Sequence, residues 1–166
     1  LDEQTPLALL NNSTLNINKG GITYSSSFML SHSTINARTT TYIKPNIAIS
    51  GTGTFHIPEA GHSLYLDTGI SGNGDITTPG EGKLIIASTY GRSTTGTITV
   101  KQGALQLGQN TGMYMLDGKT GLSSSFTLLG NLVMESGTLN GVVNANNHDV
   151  HFGLSSAFSL STDVYN

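Results

Sequence analysis

Three groups of side chains in this sequence are of types that do chemistry. His148-Asp149-Val150-His151 puts two imidazoles and a carboxylate side by side, a donor set suited to a divalent metal when the donors share a face. In an extended segment with Val150 and Phe152 inward, Asp149 and His151 point outward together and His148 points away. The two imidazoles then do not chelate one ion. The carboxylates Glu59, Asp67, Asp75, Glu81, Asp117, Glu135 and Asp149 are scattered. Polysaccharide cleavage needs two of them on one face, so Asp67 matters only if stacking brings it to Glu81 or Asp75. Serine is abundant, but there is neither a Gly-Asp-Ser-Gly string nor a Gly-x-Ser-x-Gly elbow. His32, His56 and His62 stand alone and read as polar surface. The expectation is no catalytic residue, no cofactor and no metal. Two aromatics remain: Tyr65, between Leu64 and Leu66, and Tyr114, between Met113 and Met115. Each faces outward if its neighbours face inward, which makes Tyr65 and Tyr114 the candidate surface-binding residues.

The elements that position these groups are short strands. An apolar–polar–apolar triplet recurs, as expected for strands with one buried face. It appears at Leu15-Asn16-Ile17, Phe28-Met29-Leu30, Ile35-Asn36-Ala37, Ile47-Ala48-Ile49, Phe55-His56-Ile57 and Leu64-Tyr65-Leu66. It continues through Leu84-Ile85-Ile86, Ile98-Thr99-Val100, Leu105-Gln106-Leu107 and Leu132-Val133-Met134 to Val150-His151-Phe152 and Phe158-Ser159-Leu160. Gly, Asn, Ser and Thr fill the gaps. The only helix-like stretch is a short one at Pro6 to Leu10. Hairpin dipeptides occur only at Asn73-Gly74, Asp117-Gly118 and Asn140-Gly141, too few for a meander of so many strands. Three strands per turn give coils of about twenty residues, a solenoid repeat. The expected fold is an all-β, right-handed parallel β-helix of roughly eight coils, with an antiparallel β-sandwich as the alternative. Residues 1–166 form a single segment, with an outward loop or distorted coil at 108–125.

Composition agrees. Only 10% of residues are charged, so Ser, Thr, Asn and Gly must supply the polar surface, and these suit turns better than surface helices. The net charge is −3 with no basic cluster, which removes nucleic acid as a partner. No cysteine is present, which excludes disulfide scaffolds and thiolate metal sites. No apolar run reaches the ~20 residues of a spanning helix. The start, Leu1-Asp2-Glu3-Gln4, has no signal-peptide character, so a secreted chain would have its targeting signal removed or elsewhere.

One segment carries a family likeness. Gly72-Asn73-Gly74-Asp75-Ile76 and Gly80-Glu81-Gly82-Lys83-Leu84-Ile85-Ile86 are followed by Ser88-Thr89-Tyr90. Gly96-Thr97-Ile98-Thr99-Val100-Lys101-Gln102-Gly103-Ala104-Leu105-Gln106-Leu107 completes the run. This pattern resembles the passenger-associated transport repeat of bacterial autotransporters, with extra residues between Tyr90 and Gly96 and a proline at 79. Partial copies stand at Gly51-Thr52-Gly53-Thr54-Phe55 with Ser63-Leu64-Tyr65-Leu66, and at Glu135-Ser136-Gly137-Thr138-Leu139. The likeness implies a right-handed β-helix secreted through an outer-membrane β-barrel that is not in this chain.

The functional expectation is a non-catalytic passenger segment, at the cell surface or released. It acts in adhesion, in self-association or as a rigid stalk. Its partners are host or bacterial surface glycans or proteins, or further copies of itself. The alternatives are a β-helical toxin or effector acting through oligomerisation, and a polysaccharide-cleaving or phage-fibre β-helix.

Overall fold

The computed structural model describes residues 5–23, 27–87, 94–108, 115–116, 119–120, 126–158 and 163–166. Tyr90, Tyr114, Asp117 and most of 108–125 lie outside the described residues. Among the described residues there is no helix. Leu7–Leu9, where a short helix was expected, is a strand laid parallel to Phe28–Leu30. Two inward leucines there gain more by extending the apolar column than one unpartnered helical turn would.

The chain coils into a parallel β-helix with three faces. Face one stacks Leu7–Leu9, the start of Phe28–Ala37, the start of Ile47–His56, and Ile70–Gly72. It resumes with Phe126–Thr127, Val142–Asn144 and Asp163–Tyr165. Face two stacks Thr14–Ile17, the ends of Phe28–Ala37 and Ile47–His56, Asp75–Thr78, and Ile98–Val100. The starts of Leu132–Asn140 and Val150–Phe158 complete it. Face three stacks Thr41–Ile43, Ser63–Leu66, Lys83–Ile86, Ala104–Leu107 and the end of Leu132–Asn140.

Every ladder between coils is parallel, which removes the sandwich alternative. The single described antiparallel pair, Met115–Leu116 with Lys119–Thr120, flanks Asp117-Gly118. Asn140-Gly141 is a coil corner, with Gly141 at φ +120° against the Leu107 carbonyl of the coil beneath.

Register fixes the coil length. Thr14, Thr34, Thr54, Thr77, Thr99, Val133 and His151 sit directly above one another on face two. Their spacings in sequence are 20, 20, 23, 22, 34 and 18 residues, so the chain makes about six turns and not eight. The long turn contains residues 109–125. A solenoid absorbs such an insertion because each coil touches only its neighbours.

The core is one continuous apolar column. Phe28, Leu30, Ile35, Phe55, Leu64, Ile76, Leu84, Ile98, Leu105, Phe126, Leu132 and Leu139 are essentially inaccessible to solvent. Face two contributes Leu15, Ile35 and Phe55 in one inward row, continued by Thr78, Val100, Met134 and Phe152. Phe158 pairs with Leu139 at the last coil and touches Phe152, with ring centroids 4.4 Å apart, yet stays 54% exposed. Among the described residues no strand stacks above it.

Thr78 is the polar exception in its row. It is buried at 3% exposure, and its Oγ1 has no hydrogen-bond partner. Val has the same shape without the stranded hydroxyl. Thr78→Val is therefore expected to stabilise the fold by about 1–2 kcal/mol, read as a higher urea midpoint at unchanged m-value.

Candidate functional site

The outward residues of the coils form rows, because each coil places its side chains above those of the last. On face three one row contains Tyr42, Tyr65, Ile85, Gln106 and Asn140. Tyr65 faces outward as expected and is half-buried, because Tyr42 lies flat on it. The ring centroids are 4.5 Å apart and the planes differ by 13°. Tyr42 is 46% exposed, so the pair offers an aromatic shelf to solvent. Such a shelf takes an apolar side chain or the flat face of a sugar ring.

Sequence reasoning missed Tyr42. Its strand reads Thr41-Tyr42-Ile43, with a threonine in the inward position. That threonine is fully buried and its hydroxyl donates to the Gly20 carbonyl, so it substitutes for an apolar residue. The available signal was the match between Thr41-Tyr42-Ile43 and Leu64-Tyr65-Leu66 one coil later. Stacked rings of this kind couple by about 0.5–1.5 kcal/mol. A double-mutant cycle with Tyr42→Ala and Tyr65→Ala is expected to show a coupling near the lower end, since one ring is half in water.

Face two carries a different surface. The Thr14, Thr34, Thr54, Thr77 and Thr99 side chains form one outward row, a hydroxyl every ~4.8 Å along the axis. Asn16 and Asn36 flank it, with Asn36 Nδ2 donating to Asn16 Oδ1 at 2.8 Å. Asp75 caps the edge by accepting the Thr97 N–H at 2.7 Å.

Where faces one and two meet, the chain must turn through left-handed backbone. Stacked corners do this with Asn12 (φ 64°), His32 (φ 46°) and Gly51 (φ 68°). His32 alone stands opposite Gly51 and Thr52 at the register shift between Ser31 and Ser33, so the extra residue belongs to Ile47–His56. Its ring lies over Gly51, where an added Cβ would come within 2.2 Å of the imidazole. An open groove of about 340 Å³ lies at this corner, lined by Asn12, His32, Ser33, Thr34, Thr52 and Thr54.

The three carboxylates expected to approach one another, Asp67, Asp75 and Glu81, lie at three different corners. Asp67 follows face three, Asp75 opens face two, and Glu81 sits in the turn between faces two and three. Glu59 and Glu81 share that last corner in successive coils. Glu59 meets His62 at 3.6 Å, and Glu81 accepts from Gln102 Nε2 at 3.3 Å. Val150 and Phe152 pack on the core while Asp149 and His151 are exposed, as the alternation required. Among the described residues no three His, Asp or Glu side chains cluster as a metal site.

The fold and its surfaces define a parallel β-solenoid with two ordered outward rows. No protein-family model matches the chain, and no curated protein or solved structure is significantly similar to it.

Proposed function

We propose that this chain is a segment of an autotransporter passenger, exposed at or released from the bacterial surface, whose β-helix is both stalk and contact surface. The observation that carries the reading is the glycine-and-apolar pattern from Gly72 to Leu107. Its glycines serve the coil stack. A Cβ on Gly72 would meet the Ile49 carbonyl at 2.2 Å, and one on Gly96 would meet that of Gly74 at 2.3 Å. The pattern therefore encodes corners at which successive coils press backbone to backbone. A fold made of such coils forms one coil at a time, which suits a chain emerging in order from a barrel.

Contact acts through repeated weak sites along the rod. The Tyr42–Tyr65 shelf and the threonine row lie on different faces, so one rod presents both, and several rods bind by avidity. The test is a screen of the chain against immobilised glycans and host-matrix proteins, with Tyr42→Ala/Tyr65→Ala beside it. Binding above background that the double variant reduces is the expected result. No binding, together with a single monomeric species in sedimentation at several concentrations, refutes the adhesive reading.

A further inference from the structure

The corner groove at His32 has a lining that selects a ligand class. It holds one carboxamide, one imidazole and four hydroxyls, and no Lys, Arg, Asp or Glu side chain. Threonine hydroxyls donate and accept at once, the requirement for pairing with another hydroxyl. Ser31 Oγ meets His32 Nδ1 at 3.2 Å, which orients the ring and leaves Nε2 for a ligand. Ser33 is buried and donates to the Ser31 carbonyl at 2.8 Å, so the floor beneath the ring is fixed. The volume is at the small end of ligand pockets. Beyond it the row continues through Thr77 and Thr99, so a longer ligand running along the axis meets one more hydroxyl per coil.

His32 is the residue that most needs an explanation. Its corner takes left-handed backbone, which glycine adopts freely and histidine adopts at a cost. Gly51 fills the equivalent corner one coil later and leaves the space in which the His32 ring lies. A glycine at 32 would satisfy the fold as well as histidine does, so the imidazole is there for something other than the turn.

We propose that this groove binds a neutral oligosaccharide. The terminal unit is held by His32 Nε2 and the Thr34, Thr52 and Thr54 hydroxyls, and the following units lie along the threonine row. This gives the adhesive reading above a ligand class. It rests on that reading only for its biological setting, since the groove binds or fails to bind whether or not the chain is secreted through a barrel.

The experiment titrates the full chain with neutral mono- to tetrasaccharides, and with sialylated and sulfated counterparts, by NMR and on an array. Neutral oligosaccharides are expected to bind, more tightly as length grows from one unit to four, with little salt dependence. His32→Gly is expected to keep or raise Tm while weakening binding about tenfold, the loss of roughly one well-formed hydrogen bond. Thr54→Val is expected to weaken it similarly at an unchanged far-UV spectrum. Sugar binding that survives His32→Gly, or preferential salt-sensitive binding of the acidic glycans, overturns the proposal. So does the absence of any chemical-shift change at millimolar neutral sugar. None of these outcomes bears on secretion, and a secretion failure does not bear on the groove.

Discussion

Gly103→Ala is expected to destabilise the solenoid by about 3 kcal/mol or more, enough to abolish folding of the central coils at moderate urea. Gly103 has φ +83°, a region that costs an L-residue roughly 1–2 kcal/mol. A methyl group there would sit 2.3 Å from the Gly82 carbonyl oxygen and 2.5 Å from that of Gly80. Both are backbone atoms of the coil beneath, in the turn that leads into Lys83–Ile86, and the Gly82 carbonyl accepts the Ala104 N–H at 3.0 Å. The clash is relieved only by separating the two coils. The Gly103 carbonyl also accepts the Thr138 N–H at 2.9 Å from the coil above, so the displacement passes upward. Gly61→Ala is the control. Nothing lies within 4 Å of its added Cβ, and it is expected to be neutral or slightly stabilising. Urea midpoints for the two variants provide the check, and equal midpoints would refute the stacking account of the corner glycines.

Phe55→Ala is expected to cost about 3–5 kcal/mol. Phe55 is fully buried and stacks on Ile35 in the inward row of face two. In a globular core, neighbours on all sides collapse partly into such a void. Here the coil spacing is fixed by backbone ladders above and below, so the cavity stays open. Because each coil is stabilised mainly by its neighbours, the loss also weakens coupling across that point. A broadened urea transition with a lower m-value is the expected signature, and hydrogen exchange should show the N-terminal coils opening before the rest. A single sharp transition with the stability lowered by less than about 1 kcal/mol would count against it.

The sequence made the faces readable because inward residues are nearly all apolar. Leu15, Ile35 and Phe55 could be placed inward from alternation alone, and the register bears them out. Where the inward residue is polar the signal fails, which is why Thr41 concealed Tyr42. The threonine row was legible at its start, since Thr14, Thr34 and Thr54 stand at equal 20-residue intervals. Turns of 23, 22 and 34 residues then shift the phase, and the same drift caused the coil count to be overestimated. The groove was not legible. Ser31-His32-Ser33 reads as any polar surface stretch, and only the stacked left-handed corners reveal that its imidazole lies over Gly51.

The passenger assignment meets its most direct test in surface display. The chain is fused ahead of an autotransporter barrel, and the protease-accessible fraction on intact cells is measured with and without residues 72–107. The parent is expected to reach the surface as a protease-resistant core, and the deletion to stall inside the cell with the barrel assembled. Undiminished display of the deletion, or a parent chain held inside by a competent barrel, would contradict it.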